Sequence, residues 1–538
     1  MVRALLAIAF LAFVTLIVRS ARVGIAGDYV DPIAKITAQD EALYANSSIH
    51  AATAGGWLTP MFMGRFALYK PPMLIWAAGL SARILGVSRI ALRLPIALLC
   101  SLSAGLVFLW AAELRSPLAG ICAAGLLVSN HLWHVLGGLS MTDGLLVAFF
   151  TAAMYILFAD PWLESRAALW GFAGSVAAAV LTKSVAGVIP VAALGLYWMV
   201  APRPERPRLS RAALAVVLAG ALAAPWFVYQ LLVHGRWFWA EHIQVELLGF
   251  GAGAPPQTTQ ESQWLFYLKR LPLIDPVLTA AALVAIPAFA LALRKRSASA
   301  TLLLCWMAAV IAAVLAFQYR NVAYLLPLMP ALAVLAGGYG PKGWDAALAV
   351  LVAGAFVLKA AMPVQPWGVS FEAGTIQKMA PALRNYCERR RGNELILVGM
   401  EDDLVASTLP LARLRYCLLA APPADTRYGM KFREMGIILS SDEFNYLERA
   451  RPMFRDRLRE WGLDSDQPIG TLVMAPSMSD LAAMVRAHPA DDFVLPDSYG
   501  PSVLPDAAHE REDAAGYFFL LSKVAKPRGD PPHWPCEM

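Results

Sequence analysis

Two adjacent carboxylates, Asp40 and Glu41, stand just ahead of Tyr44 in Thr37-Ala38-Gln39-Asp40-Glu41-Ala42-Leu43-Tyr44. A lysine fixed against two prolines follows in Tyr69-Lys70-Pro71-Pro72. Asp143 lies in Met141-Thr142-Asp143-Gly144 and Lys183 in Leu181-Thr182-Lys183-Ser184. Arg320 and Tyr324 share the stretch 318–327, and His242 follows Glu241 beside Trp237, Phe238 and Trp239. Carboxylates of this kind can take a proton or orient an acceptor. Cations can stabilise negative charge that grows on a departing phosphate. Plainer readings stand beside these. Asp40 and Glu41 could be solvated acids in the first turn of a surface helix. Lys70 and Lys183 could be headgroup anchors, and Asp143 could cap a helix. Tyr324 and the aromatics around His242 could form an interfacial belt. The elements that carry these residues must decide whether they can meet.

Those elements are membrane helices. Of 538 residues, 58 % are hydrophobic and only 16 % charged, against roughly 25 % charged in a soluble domain. The mean hydropathy is +0.54. Apolar runs long enough to cross a bilayer as helices fall near 4–20, 92–113, 118–138, 145–160, 167–182, 185–200, 211–232, 273–293, 299–317, 322–338 and 342–362. The first run is read as a span in preference to a signal peptide, because no small-residue cleavage site follows it. The net charge of +6 is concentrated in short basic clusters between runs, a pattern of membrane orientation that gives no reason to expect nucleic acid. Zinc-type cysteine spacing, a P-loop and a dinucleotide fingerprint are all missing. No internal repeat is evident, which argues against an inverted-repeat transporter.

Orientation follows from the basic loops. Arg203 to Arg208 and Arg294-Lys295-Arg296 belong on the cytoplasmic side. Counting outward puts the N-terminus inside and places 28–70 and 233–272 outside. The segment 71–85 is apolar but short, and a span there would put Lys70 and Asp143 on opposite faces, so it is read as non-spanning. Every residue singled out above then sits at an outer end of a span. Ionisable groups at membrane depth are costly, so their convergence marks a site. From about residue 363 charged residues become frequent. Short apolar strands such as Leu395 to Val398 and Gly516 to Leu521 alternate with charged helical stretches such as 441–462, the pattern of a small soluble α/β domain. With its cysteines Cys387, Cys417 and Cys536 on the outer side, a disulfide there is open alongside free thiols.

In their order and spacing these pieces resemble the C-type (GT-C fold) glycosyltransferases, in the branch of bacterial protein O-mannosyltransferase-like enzymes and lipid A aminoarabinose transferases. The resemblance covers residues 1–345. It rests on Asp40-Glu41-x-x-Tyr44, Gly56-Trp57-Leu58-x-Pro60, Lys70-Pro71-Pro72, Gly86-Val87-Ser88, Arg93-Leu94-Pro95, Asp143, Leu181-Thr182-Lys183, Pro225-Trp226-Phe227, Glu241-His242 and Tyr324-x-x-Pro327. It implies a polytopic all-α membrane domain over 1–362, with about eleven to thirteen helices by bilayer-length arithmetic and an outer loop at 21–70. A soluble extracytoplasmic α/β domain over 363–538 would follow.

The resemblance further implies transfer of a sugar from a polyprenyl-phosphate donor to a lipid, glycan or protein acceptor. The reaction would occur on the periplasmic face of a bacterial inner membrane. Asp40, with Glu41 beside it, would be the base or acceptor-orienting group, and Asp143 the second acidic position. Lys70, Lys183, Arg320 and Tyr324 would receive the donor phosphate, and Tyr44 and His242 would touch substrate or metal. A divalent metal is left open. An acidic residue precedes the Lys-Pro pair in the aminoarabinose branch and has been linked to metal, whereas this chain has Tyr69 there. The competing function is a transporter or flippase of lipid-linked substrates. It calls for charges in mid-span, whereas these lie at span ends.

Overall fold

The computed structural model describes residues 2–22, 39–62, 65–235, 238–249 and 262–361, together with 382, 385–386, 389, 395–398, 472–473, 478–487, 489–497, 508–514 and 516–524. The apolar runs form a helical bundle. Its helices are α1 (Val2–Arg22), α2 (Gln39–Ala54), α3 (Met73–Leu85), α4 (Arg89–Leu114), α5 (Pro117–Ser129), α6 (His131–Leu136), α7 (Thr142–Ala159), α8 (Arg166–Lys183), α9 (Ile189–Val200), α10 (Leu209–His234), α11 (Gln263–Ile274), α12 (Pro276–Arg294), α13 (Ala298–Ala316), α14 (Met329–Gly338) and α15 (Trp344–Ala361).

Among the described residues six helical stretches have the length and hydropathy to cross a membrane, at Arg89–Leu114, Thr142–Ala159, Arg166–Val200, Arg203–His234, Pro276–Arg294 and Ala298–Ala316. Val2–Val18, Met73–Leu85, Pro117–Ser129, Val322–Gly338 and Trp344–Val357 are apolar but shorter. Large apolar side chains such as Phe10, Val217 and Leu232 stand exposed, as expected where the solvent is lipid. The protein is an integral membrane protein. Its core is mostly Ala, Leu and Val but includes large aromatics: Trp110, Trp133, Trp306 and Phe150 are fully buried, and Trp110 stacks on Phe158 with ring centroids 4.6 Å apart.

Each of the long runs read from the sequence contains a helix, but several are broken where hydropathy shows nothing. The run 118–138 stops at Asn130, whose side-chain oxygen accepts from Trp133 N–H at 2.9 Å and so caps α6 as a new helix. Between α8 and α9 the chain reverses through a 3₁₀ turn, Ser184–Val188. A Cβ on Gly187 would lie 2.2 Å from Val180 N, so only glycine permits the turn to fold back this closely. The last run opens as a 3₁₀ helix, Val322–Leu328, before α14. The segment read as non-spanning is α3, whose 13 residues reach only ~20 Å against the ~30 Å of a hydrocarbon core.

Alternation of the helices gathers the loops into two ends. At one end Trp162 Nε1 donates to Pro204 O at 2.8 Å. There too Arg115 binds Asp345 and the carbonyls of Gly340 and Pro341. These contacts tie the loop at 203–208 to the one at 160–165, and the loop after α4 to the start of α15. The cavity described below lies at the other end. A short antiparallel pair, β1 (Met61–Phe62) with β2 (Arg65–Phe66), projects there between α2 and α3.

The described part of the tail is a five-stranded sheet of β3 (Leu395–Val398), β4 (Leu472–Val473), β5 (Asp492–Pro496), β6 (His509–Ala514) and β7 (Tyr517–Ser522), in the order β4-β3-β5-β7-β6. β4, β3 and β5 run parallel, while β7 and β6 are antiparallel. One face packs Phe493, Leu495, Phe518 and Leu520 against Leu481 and Val485 of α16 (Met478–Ala487), giving the α/β class expected of the tail. The stretch 441–462 and Cys387, Cys417 and Cys536 lie outside the described residues.

Candidate active site

The sequence motifs meet in pairs. Leu58 O, in the Gly56-Trp57-Leu58 segment, accepts from Trp226 Nε1 at 2.8 Å, in the Pro225-Trp226-Phe227 segment. Thr59 Oγ1 lies 3.0 Å from His234 Nε2, and Trp76 Nε1 of α3 donates to Trp57 O at 2.6 Å. These bonds fix the outer loop onto α3 and α10, and so hold Lys70 in place at the start of α3. Glu41 serves the same end. It is buried, and its carboxylate takes two bonds of 2.6 Å from Arg93, on Nε and Nη2. It also accepts from Ser140 N–H at 2.7 Å. α2 is thereby latched to α4 and to the turn ahead of α7.

Between the latched elements lies a cavity of about 300 Å³. Asp40, Tyr44, Lys70, Asp143, Lys183 and Tyr324 all line it. Lys183 Nζ binds Asp143 Oδ1 at 2.7 Å and lies 5.0 Å from the centroid of the Tyr324 ring. Gly144, next to Asp143, packs so closely that a Cβ there would lie 2.6 Å from Ile96 and 2.8 Å from Leu136 O. The approach of α7 to α4 therefore sets where the Asp143 carboxylate stands. Tyr44 is buried; that burial, with the charges of Asp40 and Asp143 behind it, pushes its phenol well up, so it remains a hydrogen-bond donor at neutral pH.

Three expected site residues stand elsewhere. Glu41 does not line the cavity, because consecutive helical residues point about 100° apart; Asp40 faces the cavity and Glu41 turns to Arg93. Arg320 is likewise outside the lining, with its guanidinium 5.8 Å from the centroid of the Phe266 ring. Its neighbours Tyr319 and Asn321 do line the cavity. His242 is wholly buried behind the wall. Its Nε2 lies 2.9 Å from Ser184 Oγ, its Nδ1 lies 3.1 Å from both Leu68 O and Tyr69 O, and its ring stacks on Phe238.

One charged cavity residue escaped the sequence reading. Glu246 lines the cavity and forms an ion pair with Lys70. It lies on a π-helix, Trp239–Gly249, so neither the 3.6-residue nor the 2-residue period could have aimed it. The signal available was Glu241-His242 a turn earlier.

A cation at the position preceding Lys70 would need the oxygen ligand that Tyr69 replaces. Both His242 nitrogens face protein partners, and among the described residues no group of three His, Cys, Asp or Glu side chains comes together to hold a metal. The residues at that position do not fit a bound metal. The positive charge lining the cavity is that of Lys70 and Lys183.

Residues 69–229 match the family of dolichyl-phosphate-mannose-protein mannosyltransferases. The chain is 32 % identical over 225 residues to an undecaprenyl phosphate-alpha-4-amino-4-deoxy-L-arabinose arabinosyl transferase of Aeromonas salmonicida, covering 38 % of this chain and 39 % of that protein. It is 28 % identical over 316 residues to the protein of that name in Pectobacterium carotovorum, covering 55 % of this chain and 53 % of the other. The matches thus span from about two fifths to half the length of these relatives. The crystal structure of ArnT from Cupriavidus metallidurans bound to undecaprenyl phosphate superposes with a TM-score of 0.64 at 17 % identity, covering 98 % of this chain and 99 % of that one. The chain has that fold, and the resemblance to C-type glycosyltransferases read from its motifs holds at the level of the fold.

Proposed function

We propose that this membrane protein transfers a glycosyl group from a polyprenyl-phosphate donor to a lipid, glycan or protein acceptor. The observation that carries the reading is the single cavity on which Asp40, Asp143, Lys70 and Lys183 converge, although they are scattered over more than a hundred residues of sequence. The relatives' names point to an undecaprenyl-phosphate-linked donor. With the basic loops at the opposite end, the positive-inside rule puts the cavity on the extracytoplasmic face. That is the periplasmic side of the inner membrane in a Gram-negative host, with the N-terminus cytoplasmic and the tail from 363 onward periplasmic.

The mechanism follows from charge. A polyprenyl phosphate is already a good leaving group, so the two-carboxylate arrangement of glycosidases is not required. Lys70 and Lys183 stabilise the charge that develops on the phosphate. Lys183 is oriented for this by Asp143 and by the Tyr324 ring. Asp40, across the same cavity, takes the acceptor's proton or orients its nucleophile. Attack opposite the phosphate inverts the anomeric centre. The transporter reading is less well supported, since the charged residues cluster at helix ends around the cavity.

The test is incubation of the purified protein in lipid with a panel of polyprenyl-phosphate sugars and a broad acceptor mix, reading free polyprenyl phosphate by mass spectrometry. Release from at least one donor, lost in Asp40→Asn, is expected. Silence across the panel, with and without divalent metals, would overturn the reading.

A further inference from the structure

Ser184 has no part in the charge chemistry above, yet it lines the cavity directly after Lys183. Its backbone φ is +44°, in the left-handed region that suits glycine and that a serine occupies at a cost. A serine held there invites the question of what its hydroxyl does. Its partner is His242 Nε2, 2.9 Å away. The other imidazole nitrogen, Nδ1, lies 3.1 Å from two carbonyl oxygens, of Leu68 and Tyr69. Carbonyl oxygens only accept, so Nδ1 carries the hydrogen and Nε2 presents a lone pair. The Ser184 hydroxyl must therefore donate to Nε2. Burial pushes the His242 pKa down to about 4, which keeps the ring neutral and this polarity fixed at physiological pH.

We infer that Ser184 is a hydrogen-bond acceptor for the glycosyl part of the substrate, a sugar hydroxyl or amine, committed to that sense by His242 behind it. With its one hydrogen directed at the imidazole, Ser184 Oγ offers the cavity only lone pairs. A phosphate oxygen, itself an acceptor, gains nothing from it, whereas a hydroxyl or ammonium hydrogen is matched. The cavity is thus divided by hydrogen-bond polarity: the ammonium groups of Lys70 and Lys183 donate to the phosphate, and Ser184 accepts from the sugar. His242 acts as a positioning residue. Its bonds also tie Ser184 to the carbonyls of Leu68 and Tyr69, immediately ahead of Lys70, so the sugar-facing and phosphate-facing groups share one brace.

This inference rests on the glycosyltransferase reading. The experiment separates the two by titrating the full-length protein in nanodiscs with bare undecaprenyl phosphate, undecaprenyl-phosphate mannose and undecaprenyl-phosphate 4-amino-4-deoxy-L-arabinose. Ser184→Gly suits the backbone and removes the hydroxyl, so it should fold. It should weaken the better glycosylated donor about tenfold, as loss of one buried hydrogen bond does, and leave bare undecaprenyl phosphate within about twofold. His242→Leu frees the serine hydrogen to turn into the cavity and donate to a phosphate oxygen, so it should narrow the margin by which glycosylated lipid is bound over bare lipid. His242→Gln, whose amide can donate to the carbonyls and accept from serine, should restore it. Equal weakening of bare and glycosylated lipid would make Ser184 a phosphate ligand and overturn the inference, as would no weakening of either. Wild-type protein that binds neither glycosylated lipid better than the bare one would overturn the inference alone, whereas wild-type protein that releases polyprenyl phosphate from no donor would sink the glycosyltransferase reading and the inference with it.

Discussion

Replacing Arg93 tests the division between latch and chemistry most directly. The Glu41 carboxylate is 1 % exposed and the Arg93 guanidinium 0 %. It receives two charge-assisted bonds of 2.6 Å from Arg93 and one of 2.7 Å from Ser140 N–H. Arg93→Met removes the first two and leaves a buried carboxylate facing an apolar neighbour. Removing one partner of such a pair costs about 3–5 kcal/mol, most of it the uncompensated charge. The companion change Glu41→Met should recover much of that loss, because an apolar pair of similar volume is often neutral to stability. The assay is the folded fraction after graded heating in detergent, followed by size-exclusion fluorescence, on wild type, both single variants and the double variant. Donor affinity of the surviving folded protein is measured alongside. The expected pattern is two strongly destabilised singles, a double closer to wild type, and near-normal donor binding by the double. If Glu41→Met and the double variant melted like wild type yet turned over no donor, Glu41 would be a catalytic group and the latch argument would fail.

Further outcomes follow from the same geometry. Asp40→Asn should melt like wild type and lose about a hundredfold or more in turnover, the usual scale for a general base, as read in single-turnover release of polyprenyl phosphate. Lys183→Met should weaken undecaprenyl phosphate binding and unsettle Asp143 together, while Lys183→Met with Asp143→Asn should recover stability but not affinity; thermal melts and lipid titration separate the two. Burial holds His242 and His50 at about 4 against an ordinary 6.5, so within that window the unfolded chain binds more protons than the folded one. Stability should therefore fall as pH drops from 6.5 toward 4, and His242→Gln should flatten part of that slope in pH-dependent melts. Gly187→Ala should disrupt the reversal between α8 and α9, because the added methyl meets backbone atoms of Val180; loss of donor binding with little change in helix content by circular dichroism is the expected result.

The bundle was legible in the sequence because lipid imposes long apolar runs, and the runs lie where the helices are. The convergence of Asp40, Lys70, Asp143 and Lys183 was legible for a related reason: the positive-inside rule sends their ends of the helices to one side. What remained hidden depends on local geometry finer than hydropathy. Nothing in residues 118–138 marks the break at Asn130 as distinct from an ordinary polar residue inside a span. Glu41 and Asp40 look equivalent until the helix phase is fixed by Arg93, which lies fifty residues on. Arg320 looked like a phosphate ligand by type, yet in the bend between α13 and the 3₁₀ turn its guanidinium lies against Phe266. Glu246 could not be aimed at all, because a π-helix has its own period.

The crowding at Gly144 carries a consequence for how such a site can change. A single missing methyl lets two helices touch, and the adjoining carboxylate is placed by that contact. Substituting a small side chain there would move an acid relative to its lysine without altering either charged residue. The reach of the site could thus be retuned from a position that carries no polar group, and a comparison restricted to the charged residues would overlook it.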